Sequence, residues 1–132
     1  MEYRELGATG LMVSVVGFGN WTLSTGWWGE YTDEDAVAML RRARDLGINF
    51  FDSSDSYGNG RAERQLGAAF GNDPDVIIAT KGGYDFYNHA DARRGQQEIP
   101  QDFSAAHIRR ACEESLQRLG RDRIDFYQLH NP

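Results

Sequence analysis

The chain has 132 residues, 40% of them hydrophobic and 26% charged, with a formal net charge of −6. That length and balance describe one domain, residues 1–132, large enough to bury a core. The acidic total gives no electrostatic reason to attract nucleic acid or an anionic membrane, and the small arginine groups (Arg41, Arg42 and Arg44; Arg109 and Arg110) read as solvated surface.

Tyr3 to Leu6 and Leu11 to Val13 are short extended runs around Gly7-Ala8-Thr9-Gly10, which predicts a β-hairpin. No basic segment leading into a long apolar stretch opens the chain, and no run approaches membrane-spanning length. Val13 to Phe18 reads as a buried strand ending in Gly17-Phe18-Gly19, and Asn20 to Tyr31 as a loop without periodicity. Thr32 is a plausible N-cap for a helix with Ala36, Val37, Leu40, Ala43 and Leu46 at helical spacing, stopped by Gly47. Ile48 to Asp52 is a short strand ending in a carboxylate. A loop, Ser53 to Gly60, leads into a helix from Arg61 to Phe70 with Ala62, Leu66 and Ala69 on one face.

Val76 to Thr80 forms the next strand, ending at Lys81. The polar stretch from Gly82 to Phe103 shows no convincing period. Ser104 caps a helix whose buried stripe carries Ile108, Ala111, Cys112, Ser115, Leu116 and Leu119, closed by Gly120. Cys112 is the single cysteine, so no intrachain disulfide can form; packing is its expected role and a reducing, cytoplasmic setting the expected location. Ile124 to Leu129 is the last strand. A hairpin followed by β-α-β-α-β-α-β argues for parallel pairing with right-handed crossovers.

Asp52, Lys81 and His130 each stand at or just beyond the C-terminal end of a strand, and Tyr57 follows Asp52 by five residues. In a parallel α/β barrel that edge carries the chemistry, because rigid strands aim their polar tips into one mouth. A phenol titrates near about pH 10, so at neutral pH it is a weak acid unless its anion is stabilised. A nearby ammonium favours that anion, and a carboxylate holds the ammonium charged and aimed. An imidazole that donates to a carbonyl oxygen would orient it. Together the four make a general acid for a carbonyl receiving a hydride.

The motifs G-F-G-N-W (17–21), G-I-N-F-F-D-S-S-D-S-Y-G (47–58), I-A-T-K-G (78–82) and D-F-Y-Q-L-H-N-P (125–132) closely resemble the aldo-keto reductases, in order and spacing along the whole chain. The resemblance implies the N-terminal half of a (β/α)8 TIM barrel, preceded by a β-hairpin that plugs its bottom. It implies NADPH-dependent reduction of aldehydes and ketones, with Tyr57 as proton donor, Lys81 and Asp52 tuning it, and His130 placing the substrate. It places Gly19, Asn20 and Trp21 beside the nicotinamide and Asp52 against its ribose. Trp21, Trp27 and Tyr87 are candidate walls of the substrate pocket.

A small-molecule carbonyl is thus the expected partner, with no nucleic acid and no membrane. Barrels of this class run to about 250 residues and eight strands, and the resemblance implies that the segments gripping the pyrophosphate and 2′-phosphate of NADPH lie beyond Pro132. The chain accordingly reads as truncated after its fourth barrel strand, with little or no activity expected of it alone. Open edges predict self-association through the half-barrel. An interaction subunit without catalysis, or the inactive product of a truncated gene, is the alternative.

Other readings fare worse. Gly17-x-Gly19 lacks the third glycine and the immediate helix of a dinucleotide fingerprint. Asp85, His89 and Asp91 lack rigid ligand spacing, so no metal is expected. Trp21, Trp27 and Trp28 have no basic groove beside them to make a base-stacking platform.

Overall fold

A computed structural model describes residues 1–89 and 99–132. Asp91, and the central part of the polar stretch between Gly82 and Phe103, lie outside the described residues. Tyr3–Glu5 (β1) and Met12–Ser14 (β2) pair antiparallel, Tyr3 opposite Ser14 and Glu5 opposite Met12. Asn49, just before the next long element's strand, laces this hairpin to the rest of the chain. Its Oδ1 accepts from Ser14 N at 2.7 Å and its Nδ2 donates to Met12 O at 2.9 Å. The hairpin therefore sits at the N-terminal end of the sheet, opposite the polar strand tips.

Two expectations are corrected here. The apolar run Val13–Phe18 is not one buried strand: it serves two sheets. β2 ends at Ser14, the next strand is only Phe18–Gly19 (β3), and Val15 and Val16 between them are 47% and 52% exposed. The corner is held by Ser14 Oγ donating to Val16 O at 2.7 Å and Val15 N to Glu2 O at 3.0 Å. The segment after β3 is not all loop either. Trp21–Thr25 forms one helical turn (α1), ended by Gly26 in the left-handed region at φ 73°. Five residues are too few to show a helical period.

Thr32 caps the helix Asp33–Asp45 (α2) reciprocally: its Oγ1 accepts from Asp35 N at 3.1 Å, and Asp35 Oδ2 accepts from Thr32 N at 3.4 Å. Leu46 falls past the end of α2 and is 57% exposed, so the buried stripe is Ala36, Leu40 and Ala43 without it. Phe50–Asp52 (β4), Arg61–Phe70 (α3), Ile77–Gly82 (β5), Ala105–Leu119 (α4) and Phe126–Leu129 (β6) complete the described elements. The stripe of α4 runs through His107, Ala111, Ser115 and Leu119; Ile108, Cys112 and Leu116 flank it half-buried. Burial still pushes the Cys112 thiol above its ordinary value, which keeps it protonated and unreactive.

The sheet has the order β3-β4-β5-β6, every pair parallel. Phe51 opposes Ile78 and Asp52 opposes Ala79. Alternation then gives the two faces different tasks. Phe51 and Ile78 join Leu40, Leu66 and Leu119 from α2, α3 and α4 in a core where all five are 0% exposed. Asp52 and Lys81 belong to the other face, the interior face of a barrel wall. This is the α/β architecture with an N-terminal hairpin that the strand and helix order predicted. Among the described residues no helix is long and apolar enough to cross a membrane.

Candidate active site

The parallel register sets the polar tips side by side. Lys81 lies two residues beyond Ala79, the partner of Asp52, so both side chains leave the same face at the same edge. Lys81 Nζ reaches Asp52 Oδ1 at 2.9 Å and Oδ2 at 2.7 Å, Ser53 O at 2.6 Å and Tyr57 Oη at 3.4 Å. An ammonium has three hydrogens, and here a carboxylate, a carbonyl and a phenol stand ready to take them. The Lys81 side chain is 15% exposed and that of Asp52 39%, so the pair opens to solvent only at its outer edge.

Tyr57 is brought back over the strand ends by the loop after β4. Ser53 N donates to Ala79 O at 2.9 Å and Asp55 N to Lys81 O at 3.1 Å, which extends the ladder past the strand's end. Tyr57 N then donates to Ser54 O at 3.2 Å, closing a turn. Gly58 follows at φ 57°, where a Cβ would stand 2.5 Å from Ser24 O, so only glycine fits between this loop and α1. On the far side, His130 N donates to Gly82 O at 2.9 Å, carrying the β5–β6 ladder one residue on. The His130 ring meets Tyr57 edge-on at 5.6 Å between centroids and Tyr84 edge-on at 4.7 Å. The structure thus brings Asp52, Lys81, Tyr57 and His130 into one cluster.

The remaining expected site residues are distributed less simply. Gly19 opposes Asp52 in the sheet, and a Cβ built on it would meet nothing within 4 Å. Asn20 N donates to Asp52 O at 3.1 Å, but its side chain is fully buried, with Nδ2 donating to Ala62 O at 2.9 Å. Asn20 therefore ties the end of β3 to β4 and α3. Trp21 starts α1 and packs at 5.7 Å against Trp27, which is 77% exposed. Tyr87 is tied down elsewhere: its Oη donates to Asp55 Oδ2 at 3.3 Å and accepts from Arg118 Nη2 at 3.2 Å. Asp85 and His89 stand 3.9 Å apart, and among the described residues no three His, Cys, Asp or Glu side chains are grouped to hold a metal ion.

Sequence reasoning missed the shell behind the cluster. Ser53, Ser54, Asp55 and Ser56 are all 0% exposed, although they form a loop of polar residues. A run of four small or acidic polar residues directly behind a strand tip was the available signal. Deeper still, Glu63 is 0% exposed, accepting from Thr80 Oγ1 and from Arg118 Nε, both at 2.6 Å. Burial, with the Glu63 carboxylate nearby, pushes the Asp55 carboxyl up to about 7.

This has a consequence for stability. Because the folded-state value is raised, folded Asp55 keeps a proton that unfolded Asp55 has lost. The stability it contributes is present below the unfolded value and disappears as pH rises through about 7. The loss is on the order of 3 kcal/mol between about pH 4 and about pH 8. Urea unfolding across that range is expected to show this decline in the native chain and to show it abolished in Asp55→Asn; equal declines would contradict it.

Comparison with known proteins gives one consistent result. Residues 15–132 match the aldo/keto reductase family. The chain is 39% identical to an L-galactose dehydrogenase of Arabidopsis thaliana, covering 99% of this chain and 38% of that protein. It is also 35% identical to a probable voltage-gated potassium channel subunit beta of Oryza sativa, covering all of this chain and 38% of the other. An aldo-keto reductase from Bacillus halodurans, solved in its holo form, superposes with a TM-score of 0.82 at 37% identity, over 98% of this chain and 40% of that one. An aldo-keto reductase from Klebsiella pneumoniae in complex with NADPH superposes with a TM-score of 0.66 at 27% identity, over 90% and 36%. The chain spans about two fifths of the length of these relatives.

Proposed function

The chain belongs to the aldo/keto reductase family, and from that premise we propose that it carries the acid–base centre of an NADPH-dependent reductase of aldehydes and ketones. One observation supports this most: Lys81 Nζ lies between the Asp52 carboxylate, at 2.7 Å, and the Tyr57 hydroxyl, at 3.4 Å, beside His130. Bound NADPH would supply a hydride to the carbonyl carbon. Tyr57 gives its hydroxyl proton to the carbonyl oxygen, so hydride and proton together complete the alcohol. The Lys81 ammonium stabilises the phenolate left behind, and Asp52 holds that ammonium in place. His130 donates a hydrogen bond that orients the carbonyl.

The residues present suit the nicotinamide end of the cofactor. Gly19 offers bare backbone with open space above it, room for a flat ring. The partly exposed Asp52 carboxylate at the same edge offers an acceptor to ribose hydroxyls. A purely interacting subunit would not need this assembled acid–base group; the rice relative is named a probable potassium channel subunit beta.

Gly19→Val tests the cofactor reading. Gly19 lies in a strand without positive φ, so valine fits the backbone while its side chain fills the space proposed for the ring. Fluorescence titration with NADPH is expected to give saturable binding weakened about tenfold or more in Gly19→Val. Equal affinities in the two chains would place the nicotinamide elsewhere.

A further inference from the structure

Behind His130 runs a continuous polar chain that the proposed chemistry does not use. Ser54 Oγ lies 2.9 Å from His130 Nδ1 and 3.2 Å from Asp55 Oδ1. We propose that Asp55, acting through the Ser54 hydroxyl, selects which ring nitrogen of His130 carries the proton, and so switches His130 on and off as a donor to substrate. The inference rests on the role proposed above for His130.

The hydrogens available at Ser54 decide the outcome. A hydroxyl has one hydrogen to give and two lone pairs to receive. Ser54 Oγ accepts from Ser56 N at 3.3 Å, and stands 3.1 Å from Ser56 Oγ and 3.4 Å from Lys81 O. When Asp55 is ionised, its Oδ1 is the strongest acceptor in reach and takes the hydroxyl hydrogen. Ser54 Oγ then faces His130 Nδ1 with a lone pair. That holds the neutral ring as the Nδ1–H tautomer, whose Nε2 has no hydrogen to donate. When Asp55 is protonated, its own hydrogen goes to Ser54 Oγ, and the hydroxyl hydrogen turns to Nδ1. The neutral ring is then the Nε2–H tautomer, which donates. One proton on Asp55 thus decides the outcome at His130, with no charge crossing the gap between them.

The surroundings keep Asp55 in play as a switch. Glu63 on α3 disfavours its anion; Arg118 on α4 and the Tyr87 hydroxyl favour it; Tyr127 on β6 lies close enough to feel its charge. Among the contacts within the described residues, His130 is faced by the Tyr57 and Tyr84 rings and by Ser54. Burial together with Glu63 sets Asp55 to titrate at about 7, where a switch responds to small changes of pH. Asp55 and Ser54 are positioning residues here, acting on substrate only through His130.

Nitrogen-15 NMR of the His130 ring in the full 132-residue chain tests the proposal, since it reads the tautomer without any turnover. In the native chain the ratio of Nε2–H to Nδ1–H forms of the neutral ring is expected to fall roughly tenfold between about pH 6 and about pH 8. Asp55→Asn and Ser54→Ala should remove that change, and Ser54→Thr, which restores a hydroxyl, should bring it back. A pH-independent tautomer ratio in the native chain would overturn the proposal, as would a change that survives in Asp55→Asn or Ser54→Ala. Because this readout needs no activity, the switch present while a completed barrel shows no carbonyl reduction would count against the proposed function alone. Carbonyl reduction without the switch would count against this inference alone.

Discussion

Arg118→Ala is expected to lower the stability of the chain by about 3–5 kcal/mol, measured by urea unfolding. Glu63 is fully buried, and Arg118 is its only cationic partner among the described ion pairs, at 2.6 Å. Removing the guanidinium leaves a carboxylate in the interior with, among the described residues, Thr80 alone donating to it from a side chain. Arg118 also donates to Tyr87 Oη and Ser115 Oγ, both at 3.2 Å, so its loss unfastens the residues beside Asp55 as well. The double variant Glu63→Gln/Arg118→Met removes both charges at similar volume and is expected to recover more than half of the loss. A cost below about 1 kcal/mol for the single variant would mean that the pair does not hold α3 to α4.

The parallel order of strands and helices was legible because apolar runs of strand length alternated with helical stripes capped by Thr32 and Ser104. Strand tips were legible too, since a carboxylate, an ammonium and an imidazole each ended an apolar run. Two places misled. Val15 and Val16 looked buried because hydrophobicity marks a strand but not the corner where a chain passes from one sheet to another. Leu46 matched the period of α2 while lying past its end, where Gly47 turns the chain away. Trp27 and Tyr87 were candidates for pocket walls without any signal of direction: the Trp27 ring is largely exposed, and the Tyr87 hydroxyl is tied into the Asp55–Arg118 network. The buried Ser54–Asp55–Glu63–Arg118 network was hidden for a physical reason. Its members come from a loop and two helices, and polar residues on those elements ordinarily face water.

Tyr57→Phe carries the largest expected effect on activity. The substitution removes one oxygen and leaves the ring, so the edge-on contact with His130 at 5.6 Å and the Lys81 ammonium 5.0 Å from the ring centre are retained. What is lost is the proton donor 3.4 Å from Lys81 Nζ. Removing a positioned general acid costs roughly two to four orders of magnitude in rate, while NADPH affinity should change little, because Tyr57 is assigned to the substrate oxygen rather than the cofactor. The decisive measurement is alcohol formed per NADPH oxidised from a simple aldehyde, with and without Tyr57→Phe, in a barrel completed by the C-terminal part of a family member. One-to-one stoichiometry with the native sequence, and a rate at least about a hundredfold lower with Tyr57→Phe, is the result this account predicts. Measurable turnover at equal rates in the two would contradict it.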